Sequence, residues 1–248
     1  MKHLFLMAIS MVYLSNAHGQ VDHFEKGNEA YNRKAYSEAI DYYQQLLEQG
    51  YSSSELYYNL ANAYYETGAL PKSILNYERA IKIRPGDKRI ANNLEIARQQ
   101  VSSDILEVRD FIIIRWWKSF SSFLSPLWWM VMQIVLCIAS LGSIFYWKYK
   151  EESKLRIKGL VSGAIILILF LVSVGAGFQS YNDIHADDEG ILMETVELKS
   201  GPDERSENLT PLPVGIKVKI LDKIEDWYKV QLMNKEEGWL NIEYVVII

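Results

Sequence analysis

Two apolar runs, Leu127–Trp147 and Gly159–Phe178, lie back to back in the middle of this 248-residue chain, with only the basic stretch Lys148–Lys158 between them. Neither run, of 21 and 20 residues, contains a charged side chain. At about 1.5 Å of helical rise per residue, each can cross a hydrocarbon layer roughly 30 Å thick. Two spans joined by so short a loop form a hairpin and return the chain to the membrane face it left. The flanks, 20–126 and 179–248, are therefore expected on one side of a lipid bilayer, which is the first expected partner.

Charge selects the side. The loop carries Lys148, Lys150, Lys154, Arg156 and Lys158, whereas the exit from the second run, 179–198, holds Asp183, Asp187, Asp188 and Glu189 and no Lys or Arg before its end. Basic residues near membrane ends are retained in the cytoplasm. This predicts a two-pass protein of the inner membrane with a cytoplasmic loop and both flanks periplasmic. The N-terminus agrees: Lys2, an apolar core at Leu4–Leu14 too short to span, and small residues at Ser15, Ala17 and Gly19 read as a secretory signal peptide over 1–19, cleaved after Ala17 or Gly19.

Composition narrows the chemistry. A net charge of -5 without a dense basic face outside the loop argues against nucleic acid. The single cysteine, Cys137, lies inside the first run, and the histidines show no ligand spacing. No metal or cofactor is expected. No nucleophile elbow or phosphate loop appears either, so an enzyme is not expected.

The segment before the hairpin repeats. Laying Gly27-Asn28-Glu29-Ala30-Tyr31 over Ala61-Asn62-Ala63-Tyr64-Tyr65 gives an offset of 34 residues, which also takes Ala39 to Ser73, Tyr43 to Tyr77 and Leu46 to Ala80. That is the tetratricopeptide period. The second copy, with Tyr57, Leu60, Ala61, Tyr64, Gly68, Ser73, Tyr77, Ala80 and Pro85, resembles the family pattern more closely than the first, which has Lys26 and Tyr51 at two pattern positions. Small residues should let paired helices approach while Tyr43 and Tyr77 fill the space between them. Ile90, Leu94, Ala97 and Val101 recur at helical spacing over 87–101 and predict a capping helix with a solvated outer side. A repeat domain of two repeats plus cap is thus expected over 20–103. Resemblance to the family implies a peptide-binding groove at Phe24, Asn28 and Tyr31, at Tyr58, Asn62 and Tyr65, and at Arg89 and Asn92. The amides can clamp an extended backbone, and the tyrosines offer flat contact at little entropic cost.

Over 104–126, Ile113, Trp117, Phe120 and Leu124 form one helical stripe, so an amphipathic membrane-proximal segment is expected there. Trp116, Trp117, Trp128, Trp129 and Trp147 all sit near an expected water boundary. In the second run Gly159 and Gly163, with Ser173 and Gly177, are spaced for close helix packing. Transmembrane helices are assigned to 127–147 and 159–178, and a linker to 179–186.

From 187 to 248 the pattern alternates. Ile191–Leu198, Lys217–Leu221, Trp227–Met233, Gly238–Ile242 and Val245–Ile248 read as five strands, broken at Gly201-Pro202, Pro211–Gly215, Asp222–Asp226 and Asn234–Glu237. Five short strands in so few residues predict a small barrel. Leu198-Lys199-Ser200-Gly201-Pro202, Trp227-Tyr228-Lys229-Val230 and Glu237-Gly238-Trp239-Leu240 resemble the bacterial SH3 domain, which makes Trp227, Tyr228 and Trp239 ligand candidates. At least two of the three are expected to be core residues. The fold class is therefore multi-domain: an all-α tetratricopeptide solenoid, a two-helix transmembrane hairpin and a small all-β SH3-like barrel.

This order, together with Ala91-Asn92-Asn93-Leu94-Glu95 and the Arg115-Trp116-Trp117 triplet at the membrane entry, resembles the E-type proteins of the Bacteroides aerotolerance operon. The resemblance implies membrane-bound von Willebrand factor A proteins as partners and, through them, a MoxR-type ATPase. It implies no reaction. A scaffold working through the repeat groove is the favoured function. The alternative is a wall-binding or wall-sensing anchor that holds peptidoglycan through the SH3-like domain.

Overall fold

The computed structural model describes residues 23–101, 111–149, 151–186 and 188–248, apart from the side chain of His185. The expected signal peptide and residues 104–110 of the membrane-proximal segment lie outside them. The described residues fall into two compact units, one formed by residues up to 101 together with those from 188 onward, the other by 111–186.

In the first unit residues 23–32 form helix α1. Helices α2 (Tyr36–Glu48), α3 (Ser54–Glu66), α4 (Leu70–Ile83) and α5 (Lys88–Gln99) follow. Local chemistry sets several starts. Ser53 caps α3 by accepting from the Leu56 amide, Pro71 occupies the first turn of α4, and Asp87 caps α5 by accepting from the Arg89 amide. The repeat is visible in the packing. Tyr43 and Tyr77 are buried among Ala30, Ala39, Ala61 and Ala80, and a Cβ at Gly27 would stand 2.5 Å from the Tyr43 ring. The turn between paired helices needs a left-handed residue; Gly68 supplies it in the second repeat (φ +76°), and Lys34, one period earlier, is forced into it (φ 64°).

The C-terminal part is an antiparallel sheet of seven strands: β1 (Glu189–Leu192), β2 (Val196–Lys199), β3 (Asn208–Leu212), β4 (Lys217–Ile224), β5 (Trp227–Gln231), β6 (Glu237–Asn241) and β7 (Val245–Ile247). Their order is β3-β2-β6-β5-β4-β1-β7. Every strand contributes to one core, through Leu192, Leu198, Leu212, Val218, Val230, Leu240 and Val245. Five strands were expected, and two differences have physical causes. The segment Ile191–Leu198 is two strands, because the chain leaves the sheet at 193–195. The stretch starting at Pro211, expected as a break, ends strand β3; β3 lies at the sheet edge, where Pro can lack an N–H without losing a ladder bond.

The helical repeats and the β-sheet share a core, which the sequence pattern did not indicate. Ile191 of β1 is fully buried with Ile74, Leu75, Tyr77, Ile90 and Leu94, and Met193, Val246 and Ile248 pack against the same cluster. Glu78 of α4, 4% exposed, pairs with Arg98 and with Lys217 Nζ of β4, the latter at 3.1 Å. Arg79 donates to the Ile247 carbonyl at 2.9 Å. Val101, just after α5 and on the apolar stripe of the cap, packs against both cores, while Arg89, Asn92, Glu95 and Gln99 on the outer side are exposed as expected. Gly215 is left-handed (φ +87°), and a Cβ there would lie 3.1 Å from Val101 and 3.3 Å from Ile74.

The second unit comprises α6 (Ile112–Ser121), α7 (Pro126–Tyr149) and α8 (Ser153–His185). Helices α7 and α8 are long and apolar enough to cross a membrane. They pack where small residues allow it: a Cβ on Gly159 would be 3.2 Å from the Trp147 amide nitrogen and one on Gly163 3.2 Å from Ser143 Oγ. Ser143 Oγ donates to the Gly159 carbonyl at 2.7 Å and Gln133 Nε2 to the Ser173 carbonyl at 3.1 Å. Helix α8 begins inside the basic stretch and runs through most of 179–186, expected as a linker, because hydrogen bonding along a helix continues past the end of an apolar run.

Replacing Gly215 with Ala adds packing strain against Val101 and Ile74 to the cost of a left-handed backbone, about 1–2 kcal/mol, whereas Gly68→Ala incurs the backbone cost alone because nothing lies within 4 Å of it. Urea unfolding of the full chain in detergent should show a larger loss for Gly215→Ala. Lys34→Gly should stabilise by about 1 kcal/mol.

Candidate functional site

The 34-residue period reappears as a hydrogen-bond network. Tyr43 Oη donates to Asn28 Oδ1 at 2.8 Å, and Asn59 Nδ2 donates to the same oxygen at 2.9 Å. One period later Tyr77 Oη donates to Asn62 Oδ1 at 2.5 Å and Asn93 Nδ2 at 3.2 Å. Asn93 Nδ2 also reaches the Tyr58 hydroxyl at 3.1 Å. Each network ties the outer helix of a pair to the inner helices of two neighbours. The side-chain oxygens of Asn28 and Asn62 are committed within the chain. Nδ2 is the group left with which either amide can meet a ligand.

Asn28, Tyr31, Asn32, Tyr43, Asn59 and Asn62 line one hollow of about 350 Å³. None of these six lining residues is charged. Of the groove residues expected from sequence, Asn28, Tyr31 and Asn62 meet there. Phe24 packs against Tyr43 with ring centroids 6.0 Å apart, and Tyr58 packs on Tyr77 and lies under the Arg89 guanidinium, 5.2 Å from the ring centroid. Tyr65 accepts a hydrogen bond from Gln100. Arg89 pairs with Asp87 and Glu55, and Asn92 is exposed on α5. The sequence reading missed Asn32, Tyr43, Asn59 and Asn93 as network or lining residues. The same offset of 34 that maps Asn28 onto Asn62 also maps Asn59 onto Asn93, and this was the available signal.

Burial raises the hydroxyls of this region. Tyr43 is pushed up to about 12 by desolvation, and Tyr77 is raised further for the same reason. Tyr31 and Tyr64 move in the same direction. All stay neutral hydrogen-bond donors at physiological pH.

A second hollow, about 490 Å³, opens in the β-sheet between Trp227, Tyr244, Pro211 and Leu240, and is bordered by Glu194, Glu197 and Glu204. Lys199 also lines it, with Nζ turned onto the Glu204 carbonyl at 3.0 Å. Among the three aromatic candidates, only Trp227 lines this hollow. Tyr228 packs against the sheet core, with Lys223 Nζ 5.7 Å from its ring centroid. Trp239 is half-buried opposite Lys229 and Lys199; at least two of the three were expected to be core residues, but all three are half-buried and only Tyr228 packs against the core. Tyr244, in the turn Ile242–Tyr244, was not singled out from sequence.

Residues 24–88 match the tetratricopeptide repeat family and residues 194–246 the bacterial SH3 domain. Over 61 residues the chain is 33% identical to the Hsp70-Hsp90 organizing protein of Triticum aestivum, an alignment that takes in 25% of this chain and 10% of the length of that relative. The C-terminal SH3 domain of myosin IB from Entamoeba histolytica is 27% identical, over 24% of this chain and 90% of that one, with a TM-score of 0.19. The chain is therefore a protein with tetratricopeptide repeats, two apolar helices long enough for a membrane and a bacterial SH3 domain. Modules of both kinds serve protein–protein interaction.

Between pH 10 and 12 the unfolded chain releases the Tyr43 proton while the folded chain retains it, since the ordinary tyrosine value is near 10. Stability that is complete below pH 10 should therefore fall across this window, by on the order of 2 kcal/mol for this residue. Urea midpoints of the full chain measured from neutral to strongly alkaline pH should show the fall, with a shallower slope in Tyr43→Phe.

Proposed function

We propose that the protein is a membrane-anchored scaffold that holds an extended segment of a partner protein in the hollow between α1 and α3. The observation that carries this reading is the convergence of Asn28, Tyr31 and Asn62, from two repeats, on one uncharged cavity. Amide and phenol groups there match the main chain of a peptide, which offers alternating donors and acceptors whatever its side chains. The β-sheet packs on α4 and α5 through Ile191, whereas the six residues lining this hollow lie on α1, α2 and α3. The order of modules supports an E-type protein of the aerotolerance operon type, with both soluble parts on the periplasmic face of the inner membrane. Its partners would then be membrane-bound von Willebrand factor A proteins and, indirectly, a MoxR-type ATPase.

A second reading follows from the hollow of Trp227 and Tyr244. An aromatic floor beside three carboxylates suits a cationic or amine-bearing ligand, and wall peptides with free amines belong to that class.

Two measurements separate the readings. Asn28→Asp with Asn62→Asp keeps the oxygens that accept within the chain and removes the amide donors. Each donor contributes about 0.5–1.5 kcal/mol, so partner capture in intact membranes should fall roughly fivefold to a hundredfold with helicity unchanged. Undiminished capture by the folded double variant would remove the groove from the mechanism. The full chain in detergent should sediment weakly or not at all with purified sacculi; strong, saturable sedimentation lost in Trp227→Ala would establish the wall-binding reading instead.

A further inference from the structure

Helices α7 and α8 are taken as membrane spans, and on that reading the second unit contains a lipid site. Short helix α6 is pinned on one side: Trp129 Nε1 donates to the Ser121 carbonyl at 2.9 Å, the Phe120 and Trp129 rings lie 5.3 Å apart, and Ser180 Oγ donates to the Leu124 carbonyl at 3.2 Å. Trp117 leans on α8 where Gly175 leaves room; a Cβ there would stand 3.3 Å from its ring. The other side of α6 is left open over α8. Ile113, Trp116, Trp117, Phe120, Phe123 and Val172 line a hollow there of about 750 Å³, and Ser119 contributes its one hydroxyl. Trp116 and Phe123 are 80% and 81% exposed at its edge.

Depth identifies the occupant. Val172 lies six positions before the end of the apolar run at Phe178 (178 − 172), which is about 9 Å into the span. Whatever enters the hollow at that level comes from the hydrocarbon layer. The volume falls within the roughly 300–1,000 Å³ of small-molecule sites, whereas a further helix would need a groove along a cylinder about 10–12 Å wide. The charge along this stretch has one sign: from 111 to 150 no Asp or Glu occurs, and the exposed Arg115, off the apolar stripe of α6, is next in sequence to the lining residue Trp116. We propose that this hollow holds one acyl chain of an anionic phospholipid, with Arg115 as the charge partner of its phosphate. Helix α6 then grips a particular lipid instead of floating on the surface by its apolar stripe.

The full chain, reconstituted in vesicles of phosphatidylethanolamine and phosphatidylglycerol with a benzophenone amino acid at position 123, tests this. Illumination should label phospholipid, with phosphatidylglycerol favoured. Val172→Trp fills the hollow and should lower the labelling about tenfold, the effect of expelling about two methylenes. Arg115→Gln should leave labelling in place and abolish the headgroup preference. Labelling of a polypeptide, or equal lipid labelling in Val172→Trp, overturns the proposal while the hairpin stands. Extraction of the chain by alkaline carbonate overturns the membrane-span reading and the lipid site with it.

Discussion

Glu78 is the point on which the first unit turns. A carboxylate with almost no solvent contact is stable only when paired, and its two partners come from different parts of the chain: Arg98 from the capping helix and Lys217 from the β-sheet. Removing one partner of a buried pair typically costs about 3–5 kcal/mol, because the remaining charge is left stranded. The pair therefore specifies register more than it adds net stability. It sits beside Ile191, whose full burial among helical residues fastens β1 to α4 through contacts that carry no directional information of their own. Apolar burial supplies the attraction, and the charges select one way of seating the sheet.

This seam changes the meaning of the chain order. Read along the sequence, repeats, hairpin and β-domain are three beads. In space the repeats and the β-sheet are halves of a single unit, and the hairpin is an insertion between them. In the chain order, the segment 111–186 is flanked on both sides by parts of the same unit, so it acts as a covalent tether that keeps the two halves at high effective concentration and lowers the entropic cost of their docking. The seam also removes freedom that a tethered SH3 domain would otherwise have. Two hollows, one of amides and phenols and one of an indole with carboxylates, are carried by this one unit.

Periodicity made much of this legible. The offset of 34 residues identified the buried tyrosines Tyr43 and Tyr77 and the paired amides Asn28 and Asn62, since a repeat places equivalent side chains in equivalent surroundings. Hydropathy located α7 and α8 but not their ends, because the helical backbone of α8 continues through polar residues to His185. Strand β3 escaped because Pro211 reads as a breaker in one dimension and is harmless at an edge in three. The seam was invisible for a more general reason. Ile191 and Ile74 lie more than a hundred positions apart, and each also fits the core of its own element; no local pattern shows that an apolar residue on a strand will be buried by a helix.

The amide networks that stabilise the repeats would also prepare Asn28 and Asn62 for the binding proposed above. Tyr43 and Asn59 converge on the oxygen of Asn28, and Tyr77 and Asn93 on that of Asn62. An amide held at its oxygen by two donors has lost its rotamer freedom before any ligand arrives, so that entropic cost is not incurred again on binding. Its nitrogen remains a donor of fixed direction. A pair of such donors, one repeat apart, favours a ligand that presents acceptors at a matching interval. An extended main chain does this through its carbonyls, whereas a compact charged group would find no counter-charge among the six residues lining the hollow.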